Sequence, residues 1–152
     1  MIEKPLTRDD LVRFFGLKPV RTGDYRPLSR VLSALGIRLV GGTTRWVVVW
    51  GALGLSADQK PCHQKHLTEP LMTAKSAAAA LGVDPSIVYR WSKGLLPNGM
   101  PSFPDAIDLS NGRKDARALR WRRAEIVAWH GRQPLPGYAR TAPAFGSLTP
   151  RK

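Results

Sequence analysis

Four side chains in one short stretch have the types and spacing to read a nucleic-acid groove: Ser86, Tyr89, Arg90 and Lys93. They lie within Asp84-Pro85-Ser86-Ile87-Val88-Tyr89-Arg90-Trp91-Ser92-Lys93-Gly94, where Asp84 stands as an N-cap and Pro85 as the first helical residue. On a helix started there, Ile87, Val88 and Trp91 turn inward and the other four project outward. Arginine takes guanine edges bidentately, whereas serine and lysine take phosphates. The competing explanation is an ordinary solvated helix face. A second basic group, Arg113, Lys114 and Arg117, surrounds a Gly-containing turn suited to phosphates or the minor groove. Arg122 and Arg123 open the helical stretch that follows. Cations at a helix start oppose its dipole by roughly a few tenths of a kcal/mol, which phosphate contact would offset.

Other chemistries find little to work with. Cys62, His63 and His66 are close together, but a structural zinc site needs four ligands and the only other histidine, His130, is distant. No metal is expected. With three histidines, one cysteine and no clustered carboxylates, there is no acid–base or nucleophilic constellation. Phosphate-cradling glycine motifs are absent as well, so neither catalysis nor a cofactor is expected.

The elements that must position the basic side chains follow from local signals. Met72 to Val83 reads as a capped helix that ends at Gly82, with Ala77, Ala80 and Leu81 facing the next helix. Pro97 to Asp105 is a turn-rich connection, 106–109 and 117–121 are paired strands, and 122–129 is a closing helix with Ile126 and Trp129 inward. Trp121 is expected to plug the core. Two short helices at a tight turn followed by a hairpin is the layout of a winged helix-turn-helix.

The N-terminal stretch has a similar order. Thr7 and Asp10 form a capping box, Leu11, Phe14 and Phe15 share a face, and Gly16 stops the helix. A second helix runs from Arg26 to Leu35 and ends at Gly36, with Arg26, Ser29, Arg30 and Ser33 outward as candidate DNA contacts. Residues 37–40 and 44–48 are expected as strands around Gly41-Gly42, and Trp50–Leu55 as a short closing helix. Leu6 to Leu17 aligns with Met72 to Val83 at one offset, and Arg45-Trp46 mirrors Arg120-Trp121, which suggests an internal duplication. The expected fold is therefore mainly α with small β-hairpin wings, as two tandem winged helix-turn-helix units over 1–55 and 71–131. A polar linker over 56–70 would join them flexibly. Residues 132–152 read as a disordered basic tail that adds DNA contacts or pairs with a neighbouring molecule through Tyr138 and Phe145.

The charge agrees with a polyanionic partner. The net charge is +13, with nine Lys or Arg against four acids over 1–55 and nine against five over 71–131, so both halves are basic. One cysteine suits a reducing compartment, no apolar run has the length of a membrane span, and the first residues lack a signal-peptide core. A cytoplasmic, nucleoid-associated location without membrane contact is expected.

Three ordered segments then carry a family resemblance. "Thr-Ala-Lys-Ser-Ala-Ala-Ala-Ala-Leu-Gly-Val-Asp-Pro-Ser-Ile-Val-Tyr-Arg-Trp", "Phe-Pro-Asp-Ala-Ile-Asp-Leu" and "Leu-Arg-Trp-Arg-Arg-Ala-Glu-Ile-Val-Ala-Trp" resemble the AlpA-like regulators and excisionases, small phage and mobile-element proteins with a MerR-like winged helix. The resemblance spans about residues 71–130. It implies major-groove contacts at Ser86, Tyr89, Arg90 and Lys93, and a wing at Arg113, Lys114 and Arg117. It further implies a double-stranded DNA partner and either of two tasks, excision directionality beside an integrase or transcription control beside RNA polymerase, with self-association on DNA. The family's usual link between helix and hairpin is shorter than Leu95–Ser102. The alternatives are a small-terminase-like packaging or replication module, and a protein-docking role for the N-terminal unit.

Overall fold

Helix initiation at the start of the chain follows from local hydrogen bonding. In the computed structural model, which describes residues 2–18, 23–110, 112–113 and 115–141, Thr7 precedes α1 (Arg8–Phe14). The Asp10 N–H donates to Thr7 Oγ1 at 3.2 Å and the Thr7 N–H to Asp10 Oδ2 at 2.9 Å, satisfying two otherwise orphaned donors. The helix α2 (Arg26–Leu35) has Pro27 in its first turn and ends on Gly36 at φ +73°, with Leu28, Val31 and Leu32 buried.

The expected strand over 44–48 does not form. Trp46 instead opens α3 (Trp46–Ala52), and only the isolated pairings Val40↔Thr43 and Leu6↔Thr44 remain of the sheet. The β-branched run Val47-Val48-Val49 suggests a strand, but Trp46, Val49 and Trp50 stand at the spacing of one helical face and are all buried. Phe14 meets Trp46 edge-on at 4.9 Å within the same cluster.

The segment 56–70 is likewise no plain linker. It holds α4 (Pro61–Thr68), whose Leu67 is buried and whose Leu67 carbonyl accepts from Trp50 Nε1 at 3.2 Å. Buried Gln59 donates from Nε2 to Ala139 O at 2.6 Å and accepts from the Ala139 N–H at 3.0 Å. Together with the Leu55↔Arg140 pairing and buried Tyr138, these bonds fix residues 138–141 against the N-terminal half. This corrects the expectation of a disordered tail there and of Tyr138 as an intermolecular contact. Residues 142–152, with Phe145, lie outside the described residues.

In the C-terminal half, α5 (Ala74–Leu81) carries the reciprocal cap Thr73–Ser76 and stops on Gly82 at φ +72°. Its buried face is Ala74, Ala77 and Ala78; Ala80, expected inward, is exposed because it stands off that stripe. The helix α6 (Pro85–Ser92) follows its Asp84 cap, and Val88 is fully buried. Strands β1 (Ile107–Asp108) and β2 (Leu119–Arg120) pair antiparallel, with the 3₁₀ turn η1 (Ala116–Ala118) just before β2. Trp121, fully buried, then leads to α7 (Arg123–His130), which buries Ile126 and Trp129. Among the described residues the chain is thus mainly helical, with one two-stranded sheet and no helix long and apolar enough to cross a membrane.

The order of elements repeats, in a register two residues away from the one the Arg-Trp pairs suggest. Leu6 pairs with Thr44 two residues before α3 begins, and Met72 pairs with Trp121 two residues before α7 begins. Thr44 therefore occupies the place of Trp121. The halves are not flexibly joined. Leu109, with Ile107 and Ala118 against it, belongs to the N-terminal core. Buried Arg120 donates from Nε to Phe15 O at 2.7 Å and from one terminal nitrogen to Gly16 O at 3.3 Å. The Leu71 N–H donates to Phe14 O at 2.8 Å. Gly16, at φ +65°, lets this approach happen: a Cβ there would lie 3.3 Å from both Arg120 Nε and Thr73 Cγ2.

Candidate nucleic-acid interface

Asp84 sets the start of α6 and with it the outward side chains. Its carboxylate accepts from the Ser86 hydroxyl at 2.6 Å and the Ser86 N–H at 3.0 Å, bonds that hold the carboxyl below its ordinary range. Ser86 is exposed, but its hydroxyl proton is committed to the cap. Tyr89 is half-buried and turns its ring edge-on to Trp121 at 6.4 Å, so its outward role is reduced. Arg90 and Lys93 are exposed, and neither has a carboxylate at ion-pair distance among the described residues. Lys93 caps the C-terminal end, where the helix dipole favours a cation.

The hairpin tip is shaped by a carboxylate that the sequence reading passed over. Asp108 accepts from the Ser110 hydroxyl at 2.6 Å, the Ser110 N–H at 2.9 Å and the Gly112 N–H at 2.8 Å, with the hydroxyl bond the main reason its carboxyl is held low. The signal was present as Asp-x-Ser-x-Gly, the spacing of an Asx turn. On this tip Arg113 and Arg117 are exposed, and Arg117 shares Asp115 at 3.4 Å. Lys114 lies outside the described residues.

Of the two arginines at the closing helix, Arg123 is exposed and Arg122 is not. Arg122 is 7% exposed, faces Glu125 at 4.0 Å and lies over the Tyr138 ring at 5.7 Å. Burial pushes the guanidinium pKa down and the Glu125 carboxyl up. Its expected phosphate contact is therefore overturned; Arg122 joins α7 to the returning tail through its stem and ring contact. Arg120, also unanticipated, is the buried tie between halves. Nothing in its type separates it from a surface arginine.

On α2, Ser29, Arg30 and Ser33 are exposed as expected. Arg26 is exposed too, but its guanidinium is held bidentately by Asp24 at 3.0 Å and 3.0 Å. The α2 side chains face the hairpin tip: Ser29, Arg30 and Ser33 line one groove of about 950 Å³ with Arg113, Arg117 and Arg120. Arg90 and Lys93 of α6 do not line it.

His63 and His66 pack around Tyr138, with ring centroids 5.0 and 6.4 Å from it, and Cys62 is exposed. Among the described residues no group of three or more His, Cys, Asp or Glu is placed to hold a metal. No protein-family model, curated protein or solved structure matches the chain.

Proposed function

We propose that the chain is a sequence-specific double-stranded DNA-binding protein without catalytic activity, built as two tandem winged helix-turn-helix units. In keeping with the AlpA-like resemblance, it would serve a phage or mobile element as an excisionase or a transcriptional regulator. The observation that carries this reading is the exposed pair Arg90, on α6, and Lys93, at its C-cap, unmatched by a carboxylate among the described residues and on the same half as the basic hairpin tip. Cations on a short capped helix beside a protruding turn suit a major-groove reader with flanking phosphate contacts. The net charge of +13 supplies long-range attraction to the same partner. An integrase or RNA polymerase would then read the protein–DNA geometry.

Fluorescence anisotropy across a salt series tests this, comparing duplexes from the gene's own upstream region with random duplex. Specific binding survives salt that abolishes random binding, because counterion release dominates the latter. A gap of about a hundredfold or more is expected. Equal affinities would replace the regulator with a packaging or architectural role, and absence of binding at low salt would overturn the DNA reading.

A further inference from the structure

The groove between α2 and the hairpin tip is where candidate contacts from the two halves meet. One wall carries Ser29, Arg30 and Ser33; the other carries Arg113 and Arg117, with Arg120 alongside. Among the described residues one carboxylate, Asp115, lines it, and that carboxylate pairs with Arg117 at 3.4 Å. Arg30 and Arg113 have no carboxylate at ion-pair distance among the described residues. Arg120 is different: its guanidinium is covered by backbone carbonyls, so it contributes charge more than donors. Converging like charges repel, and a polyanion in the groove relieves that repulsion. Hydroxyls beside guanidiniums are the side chains that take phosphate and sugar oxygens. A ligand with phosphates at regular intervals offers an anionic partner to the cations of each wall.

We infer that this groove binds the phosphodiester backbone of the duplex, so that both halves grip one DNA segment. The inference rests on the DNA-binding reading and adds a place and a geometry to it. Arg120 and Gly16 fix the halves against each other, so the spacing between the α2 contacts and the wing contacts is set by the fold and not by a tether.

The test is the salt dependence of duplex affinity for the full chain, comparing wild type with Arg30→Ala, Arg113→Ala and the double substitution. Arg90→Ala serves as the α6 comparison. Both groove residues are exposed, so circular dichroism is expected to show an unchanged fold. Each lost phosphate contact lowers the slope of log affinity against log salt by about 0.9, so the affinity drop between about 50 and 200 mM salt shrinks about 3.5-fold per substitution. The loss is expected to be equal on upstream and random duplexes, in contrast to Arg90→Ala, which should weaken the upstream duplex more. Unchanged slopes in both single variants, with wild type still binding, would overturn the groove and leave the DNA reading standing. Competition by sodium triphosphate that Arg30→Ala abolishes, without any slope change on duplex, would make the groove a small-anion site and overturn the inference. A wild type that binds no duplex would overturn both.

Discussion

Replacing Arg120 by methionine tests whether the two halves act as one body. The guanidinium donates from Nε to Phe15 O at 2.7 Å, from one terminal nitrogen to Gly16 O at 3.3 Å, and from the other to Arg117 O and Leu119 O at 2.8 and 2.9 Å. Methionine keeps the stem volume and removes every donor. The carbonyls of Phe15 and Gly16 lose their bonds to the hairpin half, and leaving a buried acceptor unpaired costs about 1–3 kcal/mol. Part of that is returned, because burial already disfavours the charge and lowers the Arg120 pKa. The balance is a loss of about 2–4 kcal/mol, or roughly 5–15 °C in Tm for a chain of this size. Urea unfolding followed by far-ultraviolet circular dichroism measures it. A shallower or two-step transition is also expected, since uncoupled halves no longer unfold together. Arg120→Lys should fall between, keeping the charge and losing the fork. A single transition within about 0.5 kcal/mol of wild type would refute the argument that Arg120 welds the halves, since changes that small are typical of surface substitutions.

Four further outcomes follow from particular contacts. Gly16→Ala should cost about 1–2 kcal/mol for its left-handed backbone, with further loss from crowding Arg120 Nε, read as a lower thermal midpoint. Tyr138→Phe should be neutral or stabilising in urea titration, because the buried hydroxyl has no hydrogen-bond partner among the described residues; a loss above about 1 kcal/mol would reveal a partner for it. Burial pushes the Tyr138 pKa up to about 12, so the folded state keeps its proton longer than the unfolded chain. That contribution is whole below about pH 10 and lost as pH rises to about 12, so wild type should lose stability faster across this window than Tyr138→Phe. Thr73→Ala should cost about 1 kcal/mol by breaking the reciprocal cap at α5, measured as a shift in urea midpoint.

Helix starts and stops were legible because their chemistry is local. Thr7 with Asp10, Thr73 with Ser76 and Asp84 before Pro85 each satisfy backbone donors within one turn, and Gly36 and Gly82 adopt the left-handed conformation that ends a helix. The misread elements depended on distant partners. Val47-Val48-Val49 carries strand-like residue types, and only the packing of Trp46, Val49 and Trp50 against Phe14 and its neighbours selects a helix. The stretch around α4 is mostly polar, and its buried anchor, Leu67, is tied by its carbonyl to the distant Trp50 indole.

The candidate contacts divide along the same line. Arg90, Lys93, Arg113, Arg123 and Arg30 are exposed as their residue types suggest, while Arg120 and Arg122 are buried by partners far away in sequence. An arginine can turn to the interior when carbonyls or a ring receive its planar head, and those receivers, Phe15 and Tyr138, belong to other parts of the chain. Two of the nine basic residues of the C-terminal unit thus hold the fold together instead of facing a partner. Because Arg120 is one of them, and sits in β2 directly after the turn that presents Arg113 and Arg117, the charge on the surface and the rigidity beneath it come from the same hairpin. Under the proposed DNA-binding function, changing the exposed Arg113 and Arg117 should therefore alter DNA affinity alone, whereas changing the buried Arg120 should alter stability first and affinity through the altered spacing of the halves.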